Sequence, residues 1–115
     1  MADQTSDTPV LDLLARMTAD SLEASNLDPK SLMMVRIAAL VAIDAPPVSY
    51  LLNVGAAADS GLVMEDVQDI LIGVAPIVGT ARVAAAAGNI ARALGFAIAA
   101  VEAELEAELE AEEAE

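Results

Sequence analysis

Alanine-rich apolar runs, cut by proline and glycine, constrain this chain more than any other feature. Thr8-Pro9, Asp28-Pro29 and Pro46-Pro47 each pair a break with a residue that suits a helix start, because proline at the first helical position gives up no needed N–H. No stretch alternates β-branched and polar residues in the manner of a strand. The pattern predicts an all-α chain of about six helices. The first opens at Thr8-Pro9, presents Val10, Leu13, Leu14, Met17 and Leu22 on one face, and stops near Asn26. The second, about Pro29 to Ile43, is nearly all apolar and therefore expected to be buried. The third runs from Pro46-Pro47 to Asp59 and stops at Ser60-Gly61. A fourth starts near Met64-Glu65-Asp66 and ends around Gly73 to Gly79, where Pro76 is expected to kink or break it. Thr80 is expected to cap a fifth, Ala81 to Leu94, and Gly95 to separate it from a last, acidic C-terminal helix.

Three segments follow: an N-terminal helix over 1–26, a helical core over 27–95, and a C-terminal helix with a Glu-rich tail over 96–115, together one domain. In the tail Ile98, Val101, Leu105 and Leu109 recur at spacings of three and four and form a narrow apolar stripe. Glutamates fill the positions between, so Glu102/Glu106/Glu110 and Glu104/Glu108/Glu112 are like-charge neighbours one turn apart. Such a helix is expected either to extend into solvent or to dock on a partner subunit or basic client.

Composition removes whole classes of chemistry. The chain of 115 residues has no cysteine and no histidine. Thiolate catalysis, disulfides, iron–sulfur clusters, imidazole bases and His- or Cys-ligated metals are therefore closed to it. Its net charge is −14, of which the eight glutamates after Val101 supply more than half. A chain this acidic, with five basic residues in all, is not expected to bind nucleic acid or anionic lipid. The first ten residues carry neither a positive segment nor an apolar one, so no secretory signal is expected. Arg36, Pro46, Pro47 and Arg92 interrupt the apolar stretches, so no membrane span is expected either, and a cytoplasmic location follows.

From Leu27 to Leu94, the segments LDPKSLMMVRIAALVAI and NVGAAADSGLVMEDVQDILIGVAPIVGTARVAAA follow an order of helices and turns. That order resembles the carboxymuconolactone decarboxylase family, which includes the alkylhydroperoxidase D-like proteins. The family's G-L-[ST]-x-E-E-[IV] step reads here Gly61-Leu62-Val63-Met64-Glu65-Asp66-Val67, and the match covers about 60% of the chain. The resemblance implies a helical fold assembling as a trimer or hexamer. It also places the family's active-site cysteines on Pro46 and Ser49, its motif-helix histidine on Asn53 and a second histidine on Gly73. The upstream glutamate falls near Met33-Met34, and no acid lies between Asp28 and Asp44. Without those residues the thiol peroxidase route is excluded, and Asn53 cannot shuttle a proton.

Two functional readings follow. The first is a catalytically silent relative that forms a homo-oligomer with a structural or protein-interaction role, using no cofactor and no metal. The second is a small-molecule enzyme or binder, a lyase or isomerase on an organic acid. There Tyr50 would be the acid or hydrogen-bond donor, Asn53 the orienting amide and Arg36 the carboxylate clamp. Tyr50 and Asn53 share a helix face, with Ser49 one turn before Asn53. Arg36 lies inside an apolar helix, so Asp44, Asp69 or an acid across a subunit interface is its expected partner. Arg82 and Arg92 are expected in interface or surface pairs. Glu65, Asp66 and Asp69 suit a helix N-terminus better than a metal site, and Met17, Met33, Met34 and Met64 read as core filler.

Overall fold

The computed structural model describes residues 6–113; the first five residues and the last two, at the ends of the expected N-terminal and Glu-rich segments, lie outside the described residues. The described residues form five helices and no strand: α1 (Pro9–Ala24), α2 (Pro29–Ala42), α3 (Pro47–Asp59), α4 (Met64–Val78) and α5 (Thr80–Glu113). The all-α expectation holds and the count of six does not. Gly95 makes no boundary, and α5 continues through it. An exposed glycine costs a helix only about 1 kcal/mol, and nothing else here forces a stop.

The starts of α1, α2 and α3 follow the proline signals, but the capping chemistry differs among them. Asp28 caps α2 through its carboxylate, which accepts the Ser31 N–H at 3.0 Å. Thr8 makes no cap; its hydroxyl donates to Asp12 Oδ1 at 3.2 Å instead. At α4 the cap is reciprocal to the usual pattern, with Asp66 Oδ2 accepting the Val63 N–H at 2.9 Å. α4 continues through Pro76 and ends soon after it, at Val78, within the Gly73 to Gly79 span expected for its end. Thr80 is the first residue of α5, not its cap. Gly79 (φ +91°) alone joins α4 to α5, and its carbonyl accepts the Val83 N–H at 3.1 Å.

Both α2 and α3 end in Schellman turns. At Gly61 (φ +88°) the N–H groups of Gly61 and Leu62 return to the Ala58 and Ala57 carbonyls. At the end of α2 the left-handed position belongs to Asp44 (φ +57°), and the Asp44 and Ala45 N–H groups return to Val41 and Leu40. Two side chains from α5 finish that end: Arg82 donates to the Ala42 carbonyl, and Asn89 Nδ2 donates to the Ala45 carbonyl at 3.2 Å.

The four later helices make the core. The α3–α5 and α2–α4 pairs have the most extensive contacts, and α2–α3 and α4–α5 complete the arrangement. Ile37, Val41, Ala45, Tyr50, Ile70, Ala86, Ile90 and Ala93 form one buried cluster. Met33 is also fully buried, as its reading as core filler requires, whereas Met17 and Met64 are exposed. By length and composition α5 is apolar enough to cross a membrane, contrary to the expectation that Arg92 interrupts it. Its Ala86, Ile90 and Ala93 join the buried cluster, but only 18% of its most apolar stretch is buried.

α1 stands apart. It buries none of its residues, and Val10, Leu13, Leu14, Met17 and Leu22 are all exposed. A cavity of about 390 Å³ lies where Leu22 and Leu27 approach Leu32 and Ala56, so the seat of α1 on the core is poorly filled. The distal part of α5 is similar: Ile98, Val101, Leu105 and Leu109 are each more than half exposed.

Candidate functional site

A cavity of about 390 Å³ opens between the second half of α3, the α3–α4 turn and the middle of α5. Its position follows from the local sequence. The Gly61 turn folds Leu62 and Val63 back over α3, while Ala57, Ala58 and Ala93 stop short of filling the space between the helices. Ile37, Leu62, Val67 and Ile90 make much of the wall, and the lining carries no ionisable side chain apart from the tyrosine.

Tyr50 and Asn53 are its polar members. Tyr50 is 5% exposed, and its hydroxyl is buried with no hydrogen-bond partner among the described residues. Burial, and secondarily the nearby Asp44 carboxylate, push that hydroxyl above its ordinary value of 10.0. It therefore stays protonated, and a donor, throughout the neutral range. Asn53 Nδ2 donates to the Ser49 carbonyl at 2.9 Å, one turn back along α3. That bond fixes the orientation of the amide, while Oδ1 has no partner among the described residues.

The other expected site residues do not converge here. Arg36 is not in the cavity wall. Its expected partners, Asp44 and Asp69, are not the ones it finds: Nη2 donates to the Thr18 carbonyl of α1 at 2.9 Å, and buried Nη1 has no partner among the described residues. A helix carbonyl carries a second lone pair, so it can take this donor without giving up its intrahelical bond. Pro46 is the exposed residue before α3, and Ser49 contributes its carbonyl to Asn53. Gly73 is exposed on α4, away from the cavity, and a Cβ added there would meet nothing within 4 Å.

Arg92 donates to Asn89 Oδ1 at 3.2 Å, and Arg82 serves the end of α2 as described, so neither makes an acid pair among the described residues. The ion pair found there joins Lys30 Nζ to Asp66 Oδ2 at 3.3 Å. The backbone N–H of Val63, then Lys30, hold Asp66 below the usual carboxylate range. Ser31 does the same for Asp28. Among the described residues no three acidic side chains are grouped to hold a metal ion.

Sequence reasoning placed Tyr50 and Asn53 together and missed the rest of the wall. The usable signal was the pair of small residues Ala57 and Ala58 shortly before a left-handed glycine, with the small residue Ala93 also lining the cavity. Compared with protein-family models, curated proteins and solved structures, the chain matches none.

Proposed function

We propose that this chain is a catalytically silent, self-assembling helical protein with a structural or protein-interaction role, built on a carboxymuconolactone decarboxylase-like fold. The observation that carries it is the apolar surface of a single copy. Val10, Leu13, Leu14 and Met17 on α1, Val35 and Ile43 at α2, Ile72 and Ile77 on α4, and Leu105 and Leu109 on α5 are all exposed. Exposed apolar side chains on this many helices fit surfaces that other copies would cover. The resemblance read in residues 27–94 points to a trimer or hexamer, and the acidic end of α5 is the element free to meet a protein partner. The same reading places the chain in the cytoplasm.

The residues at the family's reactive positions support the absence of catalysis. Pro46, Ser49, Asn53 and Gly73 include no carboxylate or imidazole that could activate a nucleophile, and the chain has no histidine. An enzyme acting on an organic acid through Tyr50, Asn53 and Arg36 is less well supported, because the guanidinium that would clamp the acid lies outside the cavity wall.

Light scattering on the full chain and on a version ending at Val101 tests the proposal. The expected result is a trimer or hexamer in both, or a change of assembly on truncation that adds the Ile98–Leu109 stripe to the interface. A monomer in both, with the full chain at 11.7 kDa, would overturn it. So would turnover of a substrate that Tyr50→Phe abolishes.

A further inference from the structure

One stretch of the exposed apolar surface differs from the rest in what borders it. From Ile98 to Glu113 every residue of α5 is exposed, and Ile98, Val101, Leu105 and Leu109 are each more than half so. At about 100° per residue these four line one side of the helix. The same rotation sets Glu102, Glu106 and Glu113 along one edge of that stripe and Glu104, Glu108 and Glu112 along the other. Ala100, Ala103, Ala107 and Ala111 fill the back. An ordinary amphipathic helix carries its charges on the face opposite its apolar one. Here that face is mostly alanine, and the acids border the stripe, where they act on whatever covers it.

From this arrangement we infer that distal α5 is a docking surface for a basic amphipathic helix of another protein. The partner's apolar stripe lies on Ile98, Val101, Leu105 and Leu109, and its lysines and arginines meet the two glutamate rows. The inference rests on the reading that the acidic end of α5 meets a protein partner, and it names that partner's chemistry. Charges that flank a helix–helix seam choose the partner. A second copy is the wrong one, because two of these stripes paired in either direction set acid rows against acid rows. Nor does another copy offer a basic row from elsewhere. Of the five basic residues, Lys30 pairs with Asp66, Arg36 and Arg82 donate to the Thr18 and Ala42 carbonyls, and Arg92 donates to Asn89. That leaves Arg16 to answer seven glutamates between residues 102 and 113. Anionic lipid and nucleic acid are repelled by the same rows. From Ile98 to Glu113 the helix runs about 24 Å, room for about four turns of a partner helix.

The test uses the full-length protein and a synthetic peptide of residues 98–113 in which lysine replaces every glutamate, so the stripe is kept and the charge reversed. Calorimetric titration at neutral pH and physiological ionic strength should show saturable binding, one peptide per chain. A scrambled peptide of the same composition keeps the charge and loses the stripe, and should bind about tenfold more weakly or worse. So should the peptide with its natural glutamates. Leu105→Ala combined with Leu109→Ala in the protein should weaken the lysine peptide by about tenfold or more. Glu104→Gln combined with Glu108→Gln should weaken it by about 2- to 10-fold, and the loss should shrink as salt is raised. All four positions are exposed, so these variants keep the core intact.

Absence of saturable binding would overturn the inference. So would a scrambled peptide that binds as tightly as the ordered one, or an affinity that the two leucine substitutions leave unchanged. A natural glutamate peptide that binds as tightly as the lysine peptide would overturn it too, since another copy would then be the occupant. Light scattering on the same samples separates this inference from self-assembly. An assembly that persists on truncation at Val101 but binds no lysine peptide sinks the docking surface alone, and an assembly that truncation changes does the same. A monomer that binds the peptide sinks self-assembly alone.

Discussion

The α2–α5 core and the two outlying helical surfaces, α1 and the distal half of α5, are built from similar residues and do opposite things with them. In the core, Met33 and Val41 are fully buried, and Ile70, Ala86 and Ala93 are nearly so. On α1 and beyond Ile98, leucines and valines at equally regular spacing remain about half exposed. The difference is one of partners, not composition. Each core helix has two or more neighbours within the chain, whereas α1 is tied down chiefly by the Arg36–Thr18 hydrogen bond, over a poorly filled seat. An amphipathic helix gains most of its stability from tertiary packing of its apolar face. Two such faces left open in one copy are therefore the strongest pointers to what the protein does with others.

The largest expected effect separates the two regions directly. Met33→Ala removes a fully buried side chain and should cost about 2–5 kcal/mol in denaturant unfolding. Leu105→Ala, on the open stripe, should change the stability of a single copy by no more than about 0.5 kcal/mol. A larger cost for Leu105→Ala that grows with protein concentration would place the stripe in an interface.

Next in size is Gly61→Ala. There is room for the added carbon, but the backbone at φ +88° is one that L residues resist. A loss of about 1–2 kcal/mol is expected by thermal unfolding, with the Tyr50 cavity disturbed because Leu62 and Val63 follow the turn.

pH sharpens the comparison, because acid acts on the two regions in opposite directions. Asp28 is held below its ordinary value of 3.8 by the Ser31 side chain and then the Ser31 N–H, and Asp66 by the Val63 N–H and then Lys30. Their contribution is present in full above pH 3.8 and is lost as pH falls below it, through the lower values they have in the folded chain. Discharging the distal glutamates removes like-charge repulsion one turn apart and should add helix there. Circular dichroism of the full chain on acidification should thus show distal helicity rising before the core weakens.

In alkali the sign is the reverse. The raised Tyr50 hydroxyl stabilises the fold below pH 10.0, and that contribution is lost as pH rises through its higher value in the folded chain. Ultraviolet titration of this single tyrosine should give one transition with its midpoint above pH 10.0 in the native protein. An ordinary midpoint would mean that water reaches the hydroxyl freely.

Much of the fold was legible because its punctuation is local. Pro9, Pro29 and Pro47 open helices through chemistry contained in two residues, and Gly61 closes one through its own backbone freedom. Gly95 was misleading for the same reason: glycine weakens a helix without ending it unless the chain must turn there. Asp44 in a left-handed turn gave no comparable sign, since aspartate occupies many other conformations. The site was legible only as a pair. Tyr50 and Asn53 share a face by helix period, but the emptiness beside them depends on which helices meet opposite Ala57, Ala58 and Ala93. Arg36 meets neither Asp44 nor Asp69; the Thr18 carbonyl it donates to was not legible, because the sequence does not place α1 against α2.

Hydrogen exchange of the full chain, measured across a wide range of protein concentration, tests the central claim most directly. If other copies cover the open face of α1, its amides will become protected as concentration rises, while those of α2 remain protected throughout. Fast exchange in α1 at every concentration, with α2 protected alone, would contradict it.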